Sequence, residues 1–188
     1  MKKLILFLLS AVLLCGCGGR EGAEAPEYVL TYAENQPADY PTTLGAEYFA
    51  QLVEERTGGR IVVQVLPDAQ MGTQREVLDQ LAFGGVDFTR VSLSSISDEL
   101  PILNVLQLPF LYEDAEHLWR VLEGPIGEEF LKVFEEAGMV GLSWYDGGVR
   151  SFYSDMPIRS AADLQGMTIR VQDSRMMKDM ITLLGACR

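Results

Sequence analysis

Ile61-Val62-Val63-Gln64-Val65-Leu66 is a nearly unbroken apolar run, closed by Pro67. A strand apolar on both sides fits the interior of a parallel sheet covered on both faces. Parallel neighbours need crossover segments between them, usually helices, so the flanking sequence decides the fold. Upstream, Tyr28-Val29-Leu30-Thr31-Tyr32-Ala33 reads as a strand ending in a polar loop, 34–41. Between these runs, Leu44, Tyr48, Phe49, Leu52 and Val53 recur at helical spacing, and Gly58-Gly59 stops the helix. Downstream the cycle repeats. Thr73 is a candidate N-cap, Val77, Leu78, Leu81 and Ala82 form an apolar face, and Gly84-Gly85 precedes a third strand over 86–91. The βαβαβ order predicts an α/β fold with a parallel sheet and right-handed crossovers. Ligands of such sheets sit at the carboxyl ends of the strands. Here those ends carry 35–40, 68–73 and 92–95.

Beyond the third strand, an apolar connector spans 100–110. Asp114 caps a helix running to Glu123, and Pro125 opens another that runs to Ala137. A fourth strand is expected over 139–145, then a Gly147-Gly148 break and a strand over 150–154. A short helical turn capped by Ser160, a strand around Arg170 and a helix over 174–184 follow. This second set of elements starts a further domain with few strands and one full helix. Its sheet edge and apolar face would lack cover. The expectation is a fragment of a longer two-domain chain.

Two arginines stand out. Arg170 lies between the β-branched Ile169 and Val171, after a turn marked by Gly166. A guanidinium in an apolar strand is costly unless an anion answers it. That anion is either a protein carboxylate, with Asp173 and Asp146 as candidates, or a ligand. Arg150 lies twenty residues earlier, in Tyr145-Asp146-Gly147-Gly148-Val149-Arg150-Ser151. Arg90 and Asp87 share a strand and are read as a structural pair. Ser92 ends that strand, and Tyr145 is read either as lining a cleft or as core.

The 188 residues suffice for one domain or somewhat more, and 48% of them are apolar. A net charge of −12 argues against a nucleic-acid partner, which needs a basic face. Lys2 and Lys3 precede an apolar run over 4–14, too short for a membrane-spanning helix of about 20 residues. Residues 1–16 therefore read as an export signal. Leu14-Cys15-Gly16-Cys17 resembles a lipobox, which implies cleavage before Cys17 and lipid attachment to it. An ordinary secretory signal and an uncleaved anchor are the alternatives. Residues 17–26 read as a flexible tether. Three cysteines and one histidine, His117, supply no disulfide framework and no metal-ligand spacing. No cofactor is expected.

Several segments resemble, in their order and spacing, the DctP-type solute-binding proteins of TRAP (tripartite ATP-independent periplasmic) transporters. They are 49–65 (FAQLVEERTGGRIVVQV), 67–81 (PDAQMGTQREVLDQL), 86–92, Leu108-Pro109-Phe110-Leu111 and 158–171 (IRSAADLQGMTIRV). The resemblance covers 28–186. It implies a periplasmic-binding-protein-like fold of two α/β domains, here 27–149 and an incomplete 150–188, closing over an organic anion. It implies that Arg170 makes a bidentate bridge to the ligand carboxylate, for which a planar guanidinium is suited. It implies that Arg150 is a second ligand contact and that Asn35 and the loop to Tyr40 face the cleft. Ser92 and Tyr145 complete the expected site. The run 144–153 is most similar to members that bind sugar acids such as hexuronates. The implied partners are a small organic anion and the TRAP permease, with Cys17 anchoring the protein to a membrane in the periplasm or cell envelope. At 187–188 the sequence departs from the family's course, which is expected to mark a sequence break.

A non-catalytic carrier is thus expected. A secreted lipoprotein enzyme lacks support: His117 has no nucleophile partner in a recognisable pattern, and neither a Gly-x-Ser-x-Gly elbow nor a phosphate loop occurs. A ligand-sensing lipoprotein domain is the other alternative.

Overall fold

The computed structural model describes residues 25–187. The expected signal segment, Cys17 and most of the expected tether lie outside the described residues. The elements begin β1 (Tyr28–Ala33), α1 (Pro41–Thr57), β2 (Ile61–Leu66), α2 (Gln74–Phe83) and β3 (Phe88–Thr89). The three strands form one parallel sheet in the order β2-β1-β3. β1 and β2 pair in register over six residues, from Tyr28 opposite Ile61 to Ala33 opposite Leu66. The βαβαβ reading of the sequence is therefore what the chain forms.

Local chemistry sets the helix ends. Gly58 and Gly84 end α1 and α2 in the left-handed conformation, which glycine adopts without a Cβ penalty. Thr73 caps α2 through a capping box. Its hydroxyl accepts from the Glu76 N–H, and the Glu76 carboxylate accepts from the Thr73 N–H.

α1 packs on one face of the sheet with a different stripe from the one expected. Ala46 and Ala50 are buried, with Phe49 and Val53 beside them, whereas Leu44 and Tyr48 are exposed. Alanines let the helix approach the sheet closely. Phe49, Tyr32 and Phe88 then fill the layer as an aromatic group, with ring centroids 5.4–6.3 Å apart. On α2, Val77 is buried with Ala33 and Val86, and Leu78 joins a neighbouring cluster with Ile96, Leu100 and Leu103.

β3 is shorter than the expected 86–91. The Asp87 carboxylate accepts from the Thr31 N–H and hydroxyl, occupying the donor that a longer ladder would use. Asp87 and Arg90 consequently do not pair with each other. After β3 come α3 (Leu93–Ile96), a 3-10 segment (Pro101–Gln107), α4 (Ala115–Leu122) and α5 (Pro125–Lys132). A second 3-10 turn (Val133–Ala137) follows. Asp114 caps α4 by accepting from the His117 N–H at 2.7 Å. Gly127 lets α5 start against α4: a Cβ there would fall 1.8 Å from the Leu122 carbonyl oxygen.

The strands expected over 139–145 and 150–154 form no ladder among the described residues. A strand exists through its neighbour, and none is present for these segments. Val149 and Tyr153 are each 96% exposed. The Arg170 segment is likewise not a full strand, but it is paired. The Ile169 N–H donates to the Cys187 carbonyl and the Cys187 N–H to the Met167 carbonyl, making a parallel bridge. A 3-10 turn (Ala161–Leu164) and α6 (Arg175–Leu183) complete this part. Ser160 caps the turn in a capping box with Asp163, and Ser174 caps α6. Leu164, Ile181 and Ala186 form a separate small core, with Ile169 and Val171 against it. No helix among the described residues is long and apolar enough to cross a membrane.

Candidate functional site

The carboxyl ends of β1 and β3 meet in a buried ion pair. Glu34, directly after β1, has a fully buried side chain, and Arg90, directly after β3, is 14% exposed. Arg90 Nε donates to Glu34 Oε2 at 3.0 Å, and its Nη2 reaches the other oxygen. The same carboxylate accepts from the N–H groups of Asn35 and Gln36 and from the Thr42 hydroxyl on α1. A buried charge is tolerated only when paired and hydrogen-bonded to this extent. Asn35, half-buried, lends its Oδ1 to Arg90 Nη2 at 2.8 Å. Its side-chain carbonyl thus serves the ion pair, which leaves its amide donors for other partners.

Tyr145 joins the same end of the sheet. Its ring lies over α1 where Gly45 has no side chain: a Cβ at Gly45 would sit 3.0 Å from Tyr145 Cε1. The neighbouring Tyr32 phenol is pushed far above its ordinary range, first by burial and then by Tyr145 and Glu34 nearby. Trp144 is turned away from this region and packs against Phe134.

A second polar group gathers around Ser92. Gln74, the first residue of α2, accepts through Oε1 from the Ser92 N–H, the Ser92 hydroxyl and the Ser95 hydroxyl, at 2.7–2.9 Å. Gln172 approaches from the other part of the chain. Its Nε2 donates to Ser92 Oγ at 3.4 Å, and its Oε1 lies 2.7 Å from the buried Ser94 hydroxyl. Arg150 Nη2 donates to the same Gln172 oxygen at 2.6 Å, and Arg150 Nη1 lies 3.0 Å from Met177 Sδ. Ser92 and Arg150 are therefore brought together through Gln172.

Arg170 is exposed rather than embedded. Ile169 and Val171 pack against the small core, whereas Thr168 and Arg170 are exposed. Among the described residues Arg170 has no ion pair. Asp173 is engaged by Lys178, which holds its carboxyl below the usual range, and Asp146 accepts from the Gly148 N–H. Neither internal carboxylate considered from the sequence answers Arg170.

Of the expected site residues, Arg150 and Ser92 form one connected group, and Asn35 and Tyr145 border the Glu34–Arg90 pair. Among the described residues Arg170 makes no hydrogen bond to the other four. Gln74, Gln172 and the Glu34–Arg90 pair are absent from the sequence reading. His117 stacks edge-on against Tyr112 on the surface helix α4, away from these groups. Among the described residues no group of three or more His, Cys, Asp or Glu side chains is arranged to hold a metal.

A parallel sheet with charged and amide side chains at its strand ends, and Arg150 joined to one of those ends through Gln172, is an α/β architecture of the kind that takes ligands at the strand ends. The model of bacterial extracellular solute-binding protein family 7 (DctP) matches residues 32–187, and the chain belongs to that family. A crystal structure of a TRAP periplasmic solute-binding protein from Xanthobacter autotrophicus Py2, with bound β-D-galacturonate, is similar with a TM-score of 0.81 and 40% identity. The match covers 84% of this chain and 53% of that one. A Pseudomonas putida F1 protein of the same class, with bound D-glucuronate, has a TM-score of 0.80 and 35% identity over 85% of this chain and 53% of its own. The uncharacterised protein YiiZ of Salmonella typhimurium is 38% identical over 84% of this chain and 48% of its own length. The chain spans about half the length of the curated relatives it matches. The family and these structural neighbours are transport solute-binding proteins rather than enzymes.

Proposed function

We propose that the protein is an extracytoplasmic, non-catalytic solute-binding protein that captures an organic acid, of the hexuronate class, and delivers it to a TRAP permease. The observation that carries this reading is the state of the two arginines. Among the described residues, Arg170 has no anionic partner and Arg150 is held only by a neutral amide oxygen and a thioether. Two such unneutralised cations are suited to a carboxylate, which a guanidinium grips with charge-assisted hydrogen bonds. The net charge of −12 repels anions weakly at a distance, but salt screens exposed charges beyond about 8 Å, so the local arginines govern binding at contact.

Residues 27–149 form the first domain and 150–188 the beginning of the second, with the ligand between them. Asn35, Ser92 and Tyr145 supply polar contacts from the first-domain side. Tyr145 adds a partly exposed aromatic ring, suited to a sugar face. The solved structures with galacturonate and glucuronate support this ligand class. Export by residues 1–16 and lipid attachment at Cys17 place the protein in the periplasm, tethered to a membrane.

Isothermal titration with D-galacturonate, D-glucuronate, succinate and neutral D-galactose tests the reading. Heat with the acids and none with galactose is expected. Galactose binding as tightly as galacturonate sinks the carboxylate reading, and succinate preferred over both sugar acids sinks the hexuronate class.

A further inference from the structure

We infer that Gln172 is a positioning residue of the anion site, a neutral clamp that aims Arg150 while leaving its positive charge available to the ligand. The inference rests on the carboxylate-binding reading above and adds to it a residue through which Arg150 acts.

Three contacts define the clamp. Gln172 Oε1 accepts from Arg150 Nη2 at 2.6 Å and lies 2.7 Å from Ser94 Oγ, while Gln172 Nε2 reaches Ser92 Oγ at 3.4 Å. The amide orientation follows from chemistry. A guanidinium only donates, so the oxygen and not the NH2 must face Arg150. The Ser94 hydroxyl stands between Gln172 Oε1 and Gln107 Oε1, at 2.7 and 2.6 Å, and its one proton serves one of them at a time. Ser92 is fixed in turn by Gln74 through both its N–H and its hydroxyl. A line of contacts therefore runs from the start of α2, through Gln74, Ser92 and Gln172, to Arg150. It ties an arginine on an exposed segment to the strand-end loops of the sheet.

Neutrality is the telling property. A glutamate has the same length and would also accept from Arg150, but it would form an ion pair and cancel the charge. The acidic side chains around this clamp are directed elsewhere. Asp173, the next residue, pairs with Lys178, Asp98 accepts from the Arg175 N–H, and Asp146 accepts from the Gly148 N–H. The second contact of Arg150, Met177 Sδ, is uncharged as well. Arg150 is thus held on two sides without being neutralised, as a site prepared for an incoming anion requires.

The test compares Gln172→Glu with Gln172→Met in titrations with D-galacturonate, alongside thermal unfolding without ligand. Both replacements keep the side-chain length. A purely structural role makes Gln172→Met the more harmful change in both measurements, because only Glu retains the acceptor. The clamp predicts opposite orders: Gln172→Glu unfolds at the same or a higher temperature than Gln172→Met, yet binds galacturonate more weakly. The expected loss for Gln172→Glu is roughly tenfold or more. In an Arg150→Ala background the Gln172→Glu penalty should largely vanish, since the two changes act through one group. Binding by Gln172→Glu within about twofold of the unmodified protein, or penalties that add fully with Arg150→Ala, overturns the inference alone. An unmodified, folded protein that binds no carboxylate overturns the parent reading and the inference with it.

Discussion

Arg90 grips the fully buried carboxylate of Glu34 through two of its nitrogens, joining the ends of β3 and β1 at the carboxyl edge of the sheet. The pair is not isolated. Two backbone N–H groups and the Thr42 hydroxyl complete the shell of Glu34, and Asn35 completes that of Arg90. The strand-end loops therefore take their positions from one electrostatic knot.

Breaking that knot from one side should be costly. Arg90→Met leaves the Glu34 carboxylate buried without its counter-charge, and the expected destabilisation is about 3–5 kcal/mol. Replacing both partners together, as Glu34→Leu with Arg90→Met, removes the stranded charge and should recover part of the loss. Urea unfolding of the two variants checks this. A double variant less stable than Arg90→Met alone contradicts the account.

The junction of α4 and α5 offers a purely steric prediction. A Cβ at Gly127 would lie 1.8 Å from the Leu122 carbonyl oxygen, a backbone atom that cannot turn aside. Gly127→Ala should therefore destabilise the protein by about 1–3 kcal/mol through forced backbone movement, even though alanine is the better helix former. At Gly138, by contrast, the glycine sits at a φ of 71° in open space, so alanine there is opposed by backbone conformation alone. The difference between the two variants in thermal unfolding separates the two causes. Equal effects would count against the clash at Gly127.

Acid should loosen two capping boxes. The Thr73 N–H, then the Thr73 hydroxyl, hold the Glu76 carboxyl below its ordinary range, and the N–H groups of Arg159 and Ser160 do the same for Asp163. Both folded values are depressed, so the unfolded chain binds more protons through the acid range and stability rises with pH there. The contribution is fully present above the ordinary carboxylate range, about pH 4, and disappears as pH falls through the lower folded values. Carbon-13 titration of the carboxyl groups reads this directly. Thr73→Ala removes the hydroxyl but keeps the N–H, so Glu76 should move only part of the way back towards its ordinary value, with Asp163 unchanged. A Glu76 titration indifferent to Thr73→Ala rules out the hydroxyl as a cause.

These features differ in how far the sequence alone announces them. Thr73, Asp114 and Ser160 are legible as caps because a cap is a short-range bond between a side chain and a backbone N–H a few residues on. β2 is legible because its run is apolar on both faces. The stretches 139–145 and 150–154 look equally strand-like, yet form no ladder among the described residues, since a strand is defined by a neighbour its own residues do not specify. The buried stripe of α1 departs from the apolar pattern of the sequence for a related reason. Leu44 and Tyr48 are the larger apolar groups, but close approach to the sheet favours Ala46 and Ala50. In the site, Arg170 stands out as a charge between apolar neighbours, and Arg150 as a second arginine in a glycine-rich run. Gln172 carries no charge, and Glu34 stands at the start of a polar loop, so nothing local set either apart.

Arg170 is the residue whose removal should separate binding from stability. It is exposed, has no ion pair among the described residues, and lies between Ile169 and Val171, which do the packing. Arg170→Ala should therefore change unfolding free energy by no more than about 0.5 kcal/mol. Affinity for D-galacturonate should fall far more. Charged hydrogen bonds contribute roughly 1.5–3 kcal/mol net, which corresponds to losses of about tenfold to a hundredfold. Arg170→Lys keeps the charge but not the planar fork, so it should recover only part of that affinity. Titration and urea unfolding on the same preparations give both quantities. Galacturonate affinity unchanged in Arg170→Ala would remove this residue from the site. Full recovery by lysine would mean that charge alone, and not fork geometry, holds the carboxylate.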